Sequence, residues 1–186
     1  IDAAVRNLRE LGADAHVELG RALVMHANLL LGEDQQDAAL AASTEAVQLL
    51  RPLAREHAFD YLWGLLAHAD LMASLDRNEE AVAAADEGLA TPQAQQPDYT
   101  SVRLELLGAR ARGLAGLLRY AEAEPVFAQI VDMNKAAFGF ESPQSRYWRY
   151  QRAQLMDWMG QLEEAHAEIE RLLNVPASGA EHPMAS

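Results

Sequence analysis

Imidazole is the commonest metal-binding side chain, and His26 and His68 stand forty-two residues apart in this 186-residue chain. On neighbouring helices about 10 Å apart, two such rings could just reach one ion. A zinc site needs further ligands, and no third ligand shares their level. The two histidines therefore read as structural, and no metal is expected. His166, beside Glu163 and Glu164, reads as solvated surface. No P-loop and no nucleophile–base pairing occurs, and the glycines are scattered singly rather than gathered into a phosphate cradle. The residues point away from catalysis and from any cofactor.

The spacing between those histidines is itself the informative feature. Two further steps of forty-two from His68 reach Arg110 and Arg152. The residue after each member of this series is alanine: Ala27, Ala69, Ala111 and Ala153. Twelve residues later comes a second all-alanine column, Ala39, Ala81, Ala123 and Ala165. Leu30, Met72, Leu114 and Met156 form an apolar column, and so do Val47, Leu89, Val131 and Leu173. One period holding four columns over four turns is an internal repeat.

Each repeat reads as two antiparallel helices. The first helices are expected over 16–32, 58–75, 100–117 and 144–159, and the second over 35–55, 78–90, 120–137 and 162–174. Leu or Met three residues after a small Ala makes a stripe at helical spacing, and the alanines let helix backbones approach closely. Turns at Gly32–Asp34, Asp76–Asn78 and Gly160 fold the helices back. Pro125, in "LRYAEAEPVFAQIV", falls early in a second helix, where few backbone hydrogen bonds can be lost.

Composition sets limits on function. Half the residues are hydrophobic but few are aromatic, and Ala and Leu, the best helix formers, dominate. A formal net charge of −13 argues against nucleic-acid binding, which needs concentrated Lys and Arg. The apolar runs are too short and too often interrupted to span a membrane. The absence of cysteine excludes a disulfide framework and fits a reducing, cytoplasmic setting. The chain opens on Ile1 rather than Met, so it reads as a piece of something longer or as a processed product.

The stretch "RYAEAEPVFAQIVDMNKAAFGFESPQS" resembles the tetratricopeptide repeat (TPR) family in its longer, kinesin-light-chain-like variant. It shares the acidic-Ala-Glu-Pro entry, a long second helix and a closing Gly-x-x-x-Pro at Gly139–Pro143, repeated at Gly179–Pro183. The resemblance covers about 16–174. It implies an all-α fold, a right-handed α-α superhelix (TPR solenoid) of about four helix pairs with a leading partial helix. The division expected is 1–15 as the end of a preceding repeat helix, then repeats at 16–57, 58–99, 100–141 and 142–174, and a tail at 175–186. Where the family has Leu before the small Ala, this chain has His26, His68, Arg110 and Arg152. Arg110 and Arg152 are expected to be partly buried, with heads answered by second-helix carboxylates such as Glu45, Glu87 and Glu122.

The resemblance further implies a concave groove, lined by first helices, that holds a protein or an extended peptide. The columns opposite the packing stripe name its candidate residues. They are Arg21, Trp63, Glu105 and Tyr147, then Val24, Leu66 and Tyr150, then Asn28, Asp70, Arg112 and Gln154. Aromatic rings offer large contact area at low entropic cost, and the polar members offer directional hydrogen bonds. The family's carboxylate clamp wants a cation near Asn28, where Val24 stands, and Asp70 would repel the ligand. The aromatic-rich 138–158 makes the C-terminal half the stronger anchor, with Trp148 assigned to the core. The leading functional reading is a non-catalytic binding module, the scaffold or sensor arm of a larger bacterial regulatory protein. The alternative is a structural, self-associating array, a homo-oligomer; the concentration of basic residues in 103–152 could serve head-to-tail contact as well as ligand steering.

Overall fold

The computed structural model describes residues 1–174; the Gly179–Pro183 turn and the 175–186 tail lie outside them. Among the described residues every regular element is helical. A leading α1 (Asp2–Glu10) precedes α2 (His16–Gly32), α3 (Gln36–Leu50), α4 (Ala58–Ser74), α5 (Asn78–Leu89), α6 (Thr100–Gly116), α7 (Tyr120–Phe138), α8 (Pro143–Trp158) and α9 (Leu162–Leu173). The helices thus begin and end within a few residues of the positions that the repeat pattern indicates. The largest departure follows α3, where Pro52 and its neighbours form a 3-10 turn over Arg51–Leu53.

The turns inside the helix pairs share one geometry. Asp34, Asp76, Leu118 and Gly160 all adopt a left-handed backbone, with φ of 60°, 57°, 59° and 78°. The next amide reaches back to the carbonyl of Leu30, Met72, Leu114 or Met156, at 2.8 to 2.9 Å. A second bond, from the left-handed residue to Leu31, Ala73, Ala115 or Asp157, completes a Schellman motif. Each following helix then starts with its alanine anchor, Ala39, Ala81, Ala123 or Ala165, donating to residue 35, 77, 119 or 161 at 2.9 to 3.0 Å. The apolar column supplies both the core side chain and the carbonyl that closes the turn.

Packing groups the chain into two compact units, residues 1–126 and those from Phe127 onward, with the division inside α7. In the first unit α2 packs on α3, α4 on α5, and α5 on α6; neighbouring first helices α2, α4 and α6 also touch. Its core has two clusters, one around Leu23, Ala27, Ala39 and Met72, the other around Leu50, Leu62, Leu65 and Leu106. Gly113 lets α5 and α6 close. A Cβ there would stand 2.8 Å from Val82 Cγ2 and 3.3 Å from the Asn78 carbonyl oxygen. In the second unit α8 packs on α9, around Ile130, Trp148, Ala153, Leu155 and Ala165. Ser142 caps α8 by accepting from the Ser145 amide at 3.1 Å, and Pro143 occupies the first turn.

All eight column alanines are at most 2% exposed, so any larger side chain there must push a neighbour away. Pro125 sits at the sixth residue of α7. It removes the donor that would have met the Ala121 carbonyl, and Ala121 and Pro125 are both exposed, so water can take the vacated acceptor.

Candidate functional site

The outward faces of the first helices carry the candidate residues. In the first unit Arg21 on α2 is exposed and grips Asp60 on α4 with two bonds, of 2.5 and 2.9 Å. Asp60 is largely buried beneath it, and the ion pair raises the Arg21 pKa further. On α4, Trp63 stacks on Phe59 with centroids 6.2 Å apart and planes within 10°. Both rings are about half exposed, at 49% and 56%. Asp70 accepts from Arg112 on α6 at 2.9 Å, so these members of one column lock adjacent first helices together. Asn28 and Glu105 are exposed.

Val24 and Leu66 are placed differently from the sequence expectation. Both are 6% exposed and belong to the two core clusters. Their column rotates far enough towards the second helices to pack there, so they offer a ligand almost no surface. Tyr150, in the same column of the second unit, is 46% exposed. Beside it Tyr147 is 49% exposed. Gln151 and Gln154 donate to the Tyr147 and Tyr150 hydroxyls at 2.9 and 3.2 Å, which holds both rings upright. Trp148, by contrast, is buried and meets Tyr147 edge-on, with centroids 5.0 Å apart.

The column of His26, His68, Arg110 and Arg152 faces the second helices. His26 Nε2 stands 2.8 Å from Asp2 on α1, His68 Nδ1 2.8 Å from Ser43 Oγ on α3, and Arg110 Nε 2.6 Å from Asp86 on α5. Each reaches the preceding second helix. Arg110 and Arg152 are partly buried. The carboxylate that answers Arg110 is Asp86, not Glu45, Glu87 or Glu122. Those three are held by Arg9, Arg51 and Arg119. The signal was present in the sequence, since Asp2 and Asp86 occupy one column, twenty-four residues before His26 and Arg110.

Burial lowers the His68 pKa, so its ring is neutral at pH 7. Burial alone would raise the Glu87 carboxyl. Hydrogen bonds from Arg51 and Tyr61 outweigh that and hold it below the ordinary carboxylate range. No group of three or more His, Cys, Asp or Glu among the described residues is arranged to hold a metal. No described helix is long and apolar enough to cross a membrane.

No family model matches this sequence, and no curated protein matches it either. Solved structures do match. BtubC (BKLC) from P. vanneervenii aligns with a TM-score of 0.79 at 15% identity, covering 99% of this chain and 74% of that one. Two crystal structures of a Podosopora anserina protein of kinesin light chain type, with nearly identical TPR-like repeats, align at TM-scores of 0.67 and 0.65. Both are 19% identical and cover 87% of this chain and 73% of theirs. The fold is a TPR-like helical repeat. At these identities the likeness concerns the fold, and the character of a TPR-like site must come from this chain's own residues. The exposed apolar side chains supply that character. Met25 and Leu29 lie on α2, Phe59 and Trp63 on α4, and Tyr147 and Tyr150 on α8, with Trp158 at the end of that helix. Among the described residues no large apolar side chain is exposed in the interior of α3, α5, α7 or α9; Phe138, Leu162 and Leu173 are terminal residues of their helices.

Proposed function

We propose that this chain is a non-catalytic binding module that docks a protein or extended peptide on its first-helix faces. It would serve as the scaffold or sensor arm of a larger regulatory protein in the cytoplasm. The observation that carries the reading is that exposed aromatic and aliphatic side chains stand in the interiors of α2, α4 and α8, whereas among the described residues α3, α5, α7 and α9 carry such side chains only at their ends. A helix buries apolar residues to fold, so large rings left half exposed in the interior of first helices, and in the interior of no described second helix, are unexplained by folding. Trp and Tyr on ordered helices are efficient anchors, because little side-chain entropy remains to be lost on binding.

The polar frame supports the same reading. Arg21–Asp60 and Asp70–Arg112 fix neighbouring first helices to each other, which presents the rings on a pre-organised surface and lowers the cost of association. In this reading Arg21, Asn28, Trp63, Asp70, Glu105, Arg112, Tyr147, Tyr150 and Gln154 form the contact set, and Val24 and Leu66 support it from beneath. The test is affinity capture from the source cells, followed by calorimetry with the partner so identified. Trp63→Ala and Tyr150→Ala should each weaken binding without lowering the melting temperature. Full affinity in both variants would remove the reading.

A further inference from the structure

The ion pairs that join neighbouring first helices leave one carboxylate on the same face unanswered. Asp70 on α4 and Arg112 on α6 are forty-two residues apart and bond at 2.9 Å, so this step links positions within side-chain reach. The two helices run over matching spans, Ala58–Ser74 and Thr100–Gly116, whose ends are again forty-two residues apart. Seven residues, about two turns, nearer their N-termini stand Trp63 and Glu105. The same step therefore carries an aromatic ring and a carboxylate to corresponding places on adjacent helices. The helices are still packed together at that level, since Leu62 and Leu66 share one buried cluster with Val102 and Leu106. All of these residues belong to the first compact unit.

Neither group is satisfied inside the chain. Trp63 and Phe59 lie nearly parallel and half exposed, and among the described residues no cation stands over either ring. Glu105 is exposed, and no described side chain reaches it by hydrogen bond or ion pair. The arginines of these helices are committed or turned away. Arg21 grips Asp60, Arg112 holds Asp70, and Arg110 holds Asp86. Arg103 lies about 200° round α6 from Glu105, in the register of Leu19 and Tyr61, which are buried. With Glu18 also exposed on α2, the face keeps an excess of negative charge once its internal pairs are counted.

The face of an aromatic ring attracts a cation, and a nearby carboxylate attracts it further. A planar guanidinium suits both at once, because it stacks on a ring while its edge forks onto a carboxylate. We propose that the partner segment docked on the first unit is basic, with an arginine side chain stacked on Trp63 and paired with Glu105. This rests on the reading of the first helices as the docking face and adds the chemistry of what docks there. An acidic segment is disfavoured, because Glu18 and Glu105 repel it and the arginines of the face are already paired.

The test uses the full 186-residue chain at low ionic strength and four pentapeptides, acetyl-Ala-Leu-X-Leu-Ala-amide, with arginine, citrulline, lysine or glutamate at X. Citrulline keeps the shape of arginine without its charge. Binding is read by NMR from the Trp63 indole N–H signal, assigned by its loss in Trp63→Leu. The arginine peptide should shift that signal saturably and bind about fivefold more tightly than the citrulline peptide, with lysine between them and glutamate weakest. Glu105→Gln should cut the arginine-to-citrulline ratio to about twofold or less, with citrulline affinity and the melt unchanged. Glu79 is an exposed second-helix carboxylate; Glu79→Gln controls for attraction to an acidic chain at large and should leave the ratio intact. Equal binding of the arginine and citrulline peptides, or tighter binding of the glutamate peptide, would overturn the inference while first-helix docking stands. So would a ratio that Glu105→Gln leaves unchanged, or that Glu79→Gln lowers as much. A Trp63 signal that no peptide moves would overturn it as well; the docking reading itself is judged by the captured partner and the Trp63→Ala and Tyr150→Ala titrations.

Discussion

At the scale of the residue, position matters more than type. Leu118 shows it most clearly. It takes the left-handed backbone that Asp34, Asp76 and Gly160 take in the sister turns, and its side chain is 71% exposed. A β-carbon in that conformation costs about 1–2 kcal/mol, which Asp or Asn offsets by local hydrogen bonding. Leu118→Asp should therefore raise stability by about 0.5–1 kcal/mol in urea titration; a loss of stability would contradict the turn geometry. His68 makes a second case. Its pKa is lowered because burial disfavours the charged ring, and Glu80, Glu87, Arg77 and Arg51 are the charged groups around it. The unfolded chain binds the proton more readily. Stability is then complete above the ordinary histidine value of about 6.5 and falls as pH drops below it. Glu87, held low in the fold, adds a further loss only as the pH falls below the ordinary carboxylate range. His68→Gln should flatten the melting temperature between pH 7 and pH 5.5 relative to the parent protein, and an unchanged slope would show that the ring does not carry it.

The helix pair is the element that the sequence announces, because one period controls three things at once. It fixes the small contact residue, the apolar stripe and the left-handed turn residue. Ala111 is fully buried on α6, which meets both α4 and α5. Ala111→Phe should cost about 2–3 kcal/mol, through overpacking at a site with no room to relax. A chemical denaturation midpoint equal to the parent's would refute close packing at the alanine columns. The period also explains what could be read in advance and what could not. Helix ends, turns and the buried alanines were legible because each is fixed by local spacing. The Arg110–Asp86 bond was half legible: the burial of the arginine follows from its register, whereas its partner depends on how one helix lies across another. Val24 and Leu66 could not be separated from Tyr150 by spacing, since a column near the edge of a stripe is buried or exposed according to its neighbours' size. Arg149 went unread for the opposite reason. Its register, with Leu23, Leu65 and Leu107, demanded leucine, and only the structure shows an arginine buried there with a donor, Nη1, left over. The ion pairs Arg9–Glu45 and Arg51–Glu87 likewise keep the forty-two-residue step but stop after two repeats, where Gln93 and Gln129 replace the charges.

For the whole molecule the choice lies between a surface that receives a partner and an array that meets its own copies. The chain carries a formal charge of −13, which opposes contact between copies at low salt. Multi-angle light scattering should return a concentration-independent mass near 20.4 kDa; a mass rising with concentration would favour the self-associating alternative. The central claim is that the first helices bind and the second helices support them. Calorimetric titration of the captured partner against Trp63→Ala, Tyr150→Ala and a second-helix surface control, Gln48→Ala, tests it most directly. Anchors of this kind cost about 2 kcal/mol or more on truncation, roughly a thirty-fold loss of affinity. The account predicts that loss for both first-helix variants, with unchanged melts, and parental affinity for Gln48→Ala. Parental affinity in both aromatic variants, with a weakened Gln48→Ala, would contradict it.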